Sequence, residues 1–138
     1  MSNQQNDLIS ELISYARSKE YKNVITVYDR LSKLDKDHSK AIYYFAEALY
    51  EHEDDLGSLK AYCRFVSLYP NNRATDFAKM GIVACLKNLD LQSEAIKILQ
   101  TVSVAHDSRE KELKHSNEVI KMQFQAKQIV KKELGSEA

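Results

Sequence analysis

Residues 60–72 read KAYCRFVSLYPNN, and they hold Pro70, the only proline in 138 residues. An apolar helical run reaches this point and meets a residue with no backbone N–H. The proline ring also disfavours helical geometry in the residue before it, so a helix ends here. Asn71 or Asn72 then stands where the next helix needs a cap.

Working outward, Pro70 taken as position 32 of a 34-residue unit puts Ala46 at 8, Leu49 at 11, Ser58 at 20, Tyr62 at 24 and Phe65 at 27. This order of small, large, small, aromatic and large resembles the tetratricopeptide repeat. Small residues at 8 and 20 let two antiparallel helices approach closely, and the large ones fill the seam between them and the next unit. The preceding unit, about residues 5–38, keeps the period with Leu8, Leu12 and Tyr15, then Val24, Tyr28 and Leu31. The following unit, about 73–107, carries Phe77, Met80 and Gly81, then Ala95, Leu99 and Val102. The interval from Gly81 to Ala95 exceeds the usual one by about two residues, which predicts an irregular turn at KNLDLQ, residues 87–92.

The expected architecture is all-α and single-domain over residues 1–138. Units at about 5–38, 39–72 and 73–107 meet the minimum for a stable stack. The resemblance implies a right-handed superhelix. A last helix, about 108–134, carries Leu113, Ile120, Phe124 and Val130 among many charges. It is expected to cap the exposed end of the stack.

Composition agrees with helices: Gly occurs three times and Trp not at all. Twenty basic residues balance twenty acidic ones, so no net field steers the chain to nucleic acid or anionic lipid. No apolar run has the length of a membrane span or of a signal-peptide core, which predicts a cytoplasmic protein without stable membrane insertion. Cys63 and Cys85 stand alone, without CxxC spacing, and predict two buried or half-buried free thiols in a reducing compartment rather than a disulfide or zinc site.

No catalytic residue, cofactor or metal site is expected. His106, Asp107 and Ser108 are adjacent and cannot point at one another as a triad must. Asp107 with Glu110 reads instead as a capping box. EHEDD, residues 51–55, groups four acids around His52, but Asp54 and Asp55 suit the positive end of the following helix better than a cation. Gly-rich phosphate loops, HExxH and GxSxG are missing from the sequence. An enzyme is therefore not expected.

In tetratricopeptide proteins, positions 2, 5, 9 and 12 of each unit line a concave groove. The resemblance places there Asn6, Ile9, Ile13 and Ala16; Lys40, Tyr43, Glu47 and Tyr50; and Thr75, Ala78, Ile82 and Cys85. The groove so defined is mostly apolar or aromatic, with Ile9, Ile13, Tyr43, Glu47, Tyr50, Ala78, Ile82 and Cys85 as its expected contacts. It lacks the cationic set with which co-chaperones of this class clamp a terminal carboxylate. Such a wall suits an extended peptide with hydrophobic anchors.

EYKNVITVYDRLSKLDKDH (20–38), CLKNLDLQSEA (85–95) and REKELKHS (109–116) resemble, more narrowly, the class II chaperones of bacterial type III secretion. These small proteins keep hydrophobic translocator subunits soluble before export. Their turns are richer in glycine, and their longer N-terminal segment serves dimerisation. The resemblance implies a protein partner of translocator type held in the groove, and Ile9 and Ile13 offer a competing use as a homodimer contact through the first helix. An adaptor working through its convex face or last helix is the alternative.

Overall fold

The structure, a computed structural model of the chain, describes residues 3–102 and 129–135. Among residues 3–102, six α-helices follow one another: α1 (Asn3–Arg17), α2 (Tyr21–Asp35), α3 (Ser39–Glu51), α4 (Asp55–Leu68), α5 (Thr75–Asn88) and α6 (Gln92–Leu99). A π-helical turn, Lys131–Gly135, is described near the C-terminus. There is no strand among the described residues, as the composition predicts.

Three-residue turns join α1 to α2, α3 to α4 and α5 to α6, and all three close the same way. Lys19, Glu53 and Asp90 adopt left-handed φ values of 60°, 64° and 64°. Each donates its N–H to the carbonyl three residues back, Ala16, Tyr50 or Lys87, at 3.0 Å. The next residue, Glu20, Asp54 or Leu91, donates to Tyr15, Leu49 or Leu86 at 2.9 Å. This double bond pattern is the Schellman motif, made here without glycine. It reverses the chain and folds each pair into a helical hairpin.

These turns also supply a register. Leu12, Ala46 and Val83 each lie seven residues before the left-handed residue, and Val24, Ser58 and Ala95 five after; all six are buried. Within the second pair, the Ser58 hydroxyl donates to the Ala46 carbonyl at 2.8 Å, so the two small residues let α4 press onto the α3 backbone. Between α4 and α5, Gly81 plays the small partner. A Cβ there would stand 2.5 Å from the Tyr62 ring.

Lys19 and Glu53 are 34 residues apart, whereas Glu53 and Asp90 are 37 apart. The expectation of an irregular turn at 87–92 is therefore corrected: that turn is as regular as the others. The additional residues sit in the α4–α5 connector, residues 69–74, against 36–38 between α2 and α3. The longer connector makes its own bonds. Thr75 Oγ1 donates to the Tyr69 carbonyl at 2.6 Å and accepts the Asn72 N–H at 2.9 Å. Asn72 Oδ1 accepts from the Ala74 N–H at 2.9 Å, forming an Asx turn before α5 instead of the predicted cap, and Ala74 at the cap position makes no side-chain bond. Asp54, by contrast, caps α4 as anticipated, accepting the Gly57 N–H at 2.9 Å.

The buried side chains form two clusters. Leu8, Leu12, Ala16, Val24, Val27 and Leu31 of the first pair pack with Ala41 and Ala48 of α3. The larger cluster runs from Ile42 through Leu59, Phe65 and Ile82 to Leu99. Phe65 is 1% exposed, a burial worth about 1.5–3 kcal/mol. Tyr28 touches both clusters, and its ring stacks on Phe45 at 4.0 Å. Around it, the Tyr28 hydroxyl donates to the Lys36 carbonyl, Arg64 binds Asp37 through Nε (3.2 Å) and Nη2, and the Tyr69 hydroxyl donates to the Asp37 carbonyl.

The expected terminal cap, 108–134, falls mostly outside the described residues, as do Leu113, Ile120, Phe124, the Asp107–Glu110 box and the His106–Asp107–Ser108 triplet. The Lys131–Gly135 turn packs on α4, with Val130 4% exposed in the larger cluster.

Candidate functional site

Each helix packs on its chain neighbours, and α1 also packs on α3 and α3 on α5. The first helices of the three pairs therefore form one continuous row. Counted from the turns, the face of this row carries Asn6, Ile9, Ile13 and Ala16 on α1, and Lys40, Tyr43, Glu47 and Tyr50 on α3. On α5 it carries Phe77, Met80, Ala84 and Lys87, two residues on from the expected Thr75, Ala78, Ile82 and Cys85.

Burial follows the turn register. Ile9, Ile13, Tyr43, Glu47, Tyr50, Met80 and Ala84 are half-buried, and Phe77, at 63%, is the most exposed large apolar side chain among the described residues. Ala78, Ile82 and Cys85, expected on the open wall, are each 0% exposed and lie in the larger cluster. They do not line an accessible groove in this structure. The error has one cause: the three extra residues precede α5, so a unit started at Ala74 begins two positions early, and its wall set is turned by about 200° on the helix. Phe77, Met80, Ala84 and Lys87 were missed accordingly. The signal that finds them is Ala95, whose place on α6 counts back to the correct start of the unit.

Tyr43 stands at the centre of the face. Its ring makes edge contacts with Tyr44 (5.6 Å), Tyr62 (5.9 Å) and Phe65 (5.7 Å), so it is held by the core while keeping an open side. Tyr50 is tied across the row, its hydroxyl accepting from Asn88 Nδ2 at 3.3 Å; the same amide donates to Asp55 at 3.2 Å. Between these tyrosines, partial burial holds the Glu47 carboxyl above the ordinary range; Glu51 adds to the shift and Lys19 opposes it. Burial also raises the Tyr43 and Tyr62 phenols, with Glu47 contributing to both.

Beside Tyr43 opens a cleft of about 350 Å³, between the start of α3 and the α4–α5 connector. Lys40, Tyr43, Tyr44, Phe65, Asn72 and Arg73 shape it. A second hollow, about 390 Å³, involves α2, α3, α4 and the terminal turn, with Tyr28, Phe45, Lys60, Arg64 and Glu133 on its walls.

Cys63 and Cys85 are buried free thiols whose pKa values burial pushes up to about 12, so neither is poised as a nucleophile. The described residues include no group of three or more His, Cys, Asp or Glu that could hold a metal ion. Among them, too, no helix is long and apolar enough to cross a membrane. Comparison with protein-family models, with curated proteins and with solved structures returns no match for the chain.

Proposed function

We propose that the chain is a non-catalytic, cytoplasmic binding module of the tetratricopeptide type, holding an extended hydrophobic segment of a partner protein on a concave face formed by α1, α3 and α5. The observation that carries this reading is the row of accessible apolar and aromatic side chains on those helices: Ile9, Ile13, Tyr43, Tyr50, Phe77 and Met80. The three identical turns support the repeat assignment, since a common turn gives successive pairs a common geometry. The resemblance to translocator chaperones supplies the partner class, a membrane-active secreted subunit whose apolar segments would aggregate in water.

Fluorescence anisotropy with labelled peptides scanning candidate translocators tests this. Phe77→Ser, at an exposed position, leaves the circular dichroism spectrum and Tm unchanged and weakens binding by roughly tenfold, the loss of one apolar anchor. Undiminished binding by both Phe77→Ser and Tyr43→Ala removes this face from the account.

A second reading, an adaptor working through its outer side, has one observation in its favour. Leu34 on α2 and Leu56 and Leu68 on α4 are 47%, 42% and 42% exposed. Replacing all three with Ser abolishes assembly with the partner under this reading and leaves it intact under the first.

A further inference from the structure

The face of α3 is not uniformly apolar; its charges separate along its length. At its N-terminal end, Lys40 and Arg73 flank the 350 Å³ cleft beside Tyr43, and no carboxylate is among the residues that line it. Both are exposed, and among the described residues neither is in an ion pair. Ser39, the first residue of α3, also lines the cleft, and His38 at the cap position makes no side-chain bond, so the helix end adds its partial positive charge. Two turns further along, the sign reverses. Glu47 and Glu51 lie one turn apart on α3, close enough that Glu51 disfavours the charge on Glu47, while Lys19 favours it.

Tyr43, whose ring is fixed by Tyr44, Tyr62 and Phe65, sits between the two charged ends. Resting on the groove reading above, we infer that the partner segment is itself charge-polarised: an acidic group seats between Lys40 and Arg73, an apolar side chain covers Tyr43, and a basic group meets Glu47 and Glu51. Helical rise puts Lys40 about 10 Å from Glu47 and about 16 Å from Glu51 along α3. An extended strand advances about 3.3 Å per residue, so the acid and the base stand three to five residues apart around the apolar anchor. This pattern excludes a purely greasy segment as the best ligand and excludes a terminal carboxylate clamp as the whole of recognition.

Four short fluorescein-labelled peptides with the same Leu-Phe centre test it: acid and base on opposite flanks, acid on both, base on both, and Asn on both. At low salt the acid–base peptide binds the full chain roughly tenfold more tightly than either like-charged peptide, and salt narrows the gap. In the exposed double variant Lys40→Glu/Arg73→Glu, with its fold checked by circular dichroism, the preference moves to the base–base peptide. Equal affinity for all four, still lost in Phe77→Ser, overturns the polarity and leaves the groove standing. Absence of binding by all four overturns both.

Discussion

Glu47 shows how one residue can report on the face it occupies. It is half-buried, with Glu51 one turn away on α3, Lys19 and Tyr21 at the first turn, and Tyr43 and Tyr62 alongside. Its native carboxyl keeps a proton to higher pH than the unfolded one, whose value is 4.5. Stability therefore falls as pH rises from that value through the native pKa, and the charged form opposes folding at neutral pH. Glu47→Gln should raise Tm near pH 7, with the gain vanishing below about pH 4, where both states are protonated. Thermal melts across this range check it, and a gain independent of pH would assign the effect to something other than the charge.

Among elements, the turns are the most informative. Three left-handed residues without glycine each carry a steric cost of about 1–2 kcal/mol, offset by the two Schellman bonds they enable. Lys19→Gly, Glu53→Gly and Asp90→Gly should each stabilise the chain by about 0.5–1 kcal/mol, since relief of strain exceeds the added unfolded-state entropy. Urea denaturation reads this directly. Destabilisation at any one would show that its left-handed conformation is not populated in solution. These turns were hard to find in the sequence because Lys, Glu and Asp occupy the place where glycine usually marks a helix end. The helices themselves were legible, and so was the close approach of Ala46 and Ser58, because each depends on residues within one hairpin.

For the whole molecule, the two side-chain clusters make the first pair a nearly separate unit. It is joined to the rest by Ala41 and Ala48, by the Tyr28–Phe45 stack, and by the grip of Arg64 and Tyr69 on Asp37. The Arg64–Asp37 pair is about 40% exposed, so its own contribution is small, about 1 kcal/mol or less. The double variant Arg64→Ala/Tyr69→Phe also removes the hydrogen bond to the Asp37 backbone. Hydrogen exchange should then quicken in α1 and α2 by roughly tenfold or more while α4 and α5 keep their protection, as expected of a helical pair that opens separately from the rest. Equal acceleration everywhere would mean that the molecule unfolds as one cooperative unit.

By itself, the sequence determined the helical content, the stop at Pro70, the pairing of Ala46 with Ser58 and the at least partial burial of both cysteines. All of these follow from short-range spacing or from the apolar character of single residues. It could not say where the third unit absorbs its extra residues, since the α5–α6 turn and the α4–α5 connector both lie between Pro70 and Ala95 and either fits the longer interval. Tertiary structure decided this: two Schellman bonds close only over a fixed number of residues, whereas the connector can lengthen and bond to itself through Asn72 and Thr75. That choice turned Phe77 outward and Ile82 inward. Packing likewise placed residues 129–135 on α4, because the match between Val130 and the larger cluster depends on a surface assembled from distant parts of the chain.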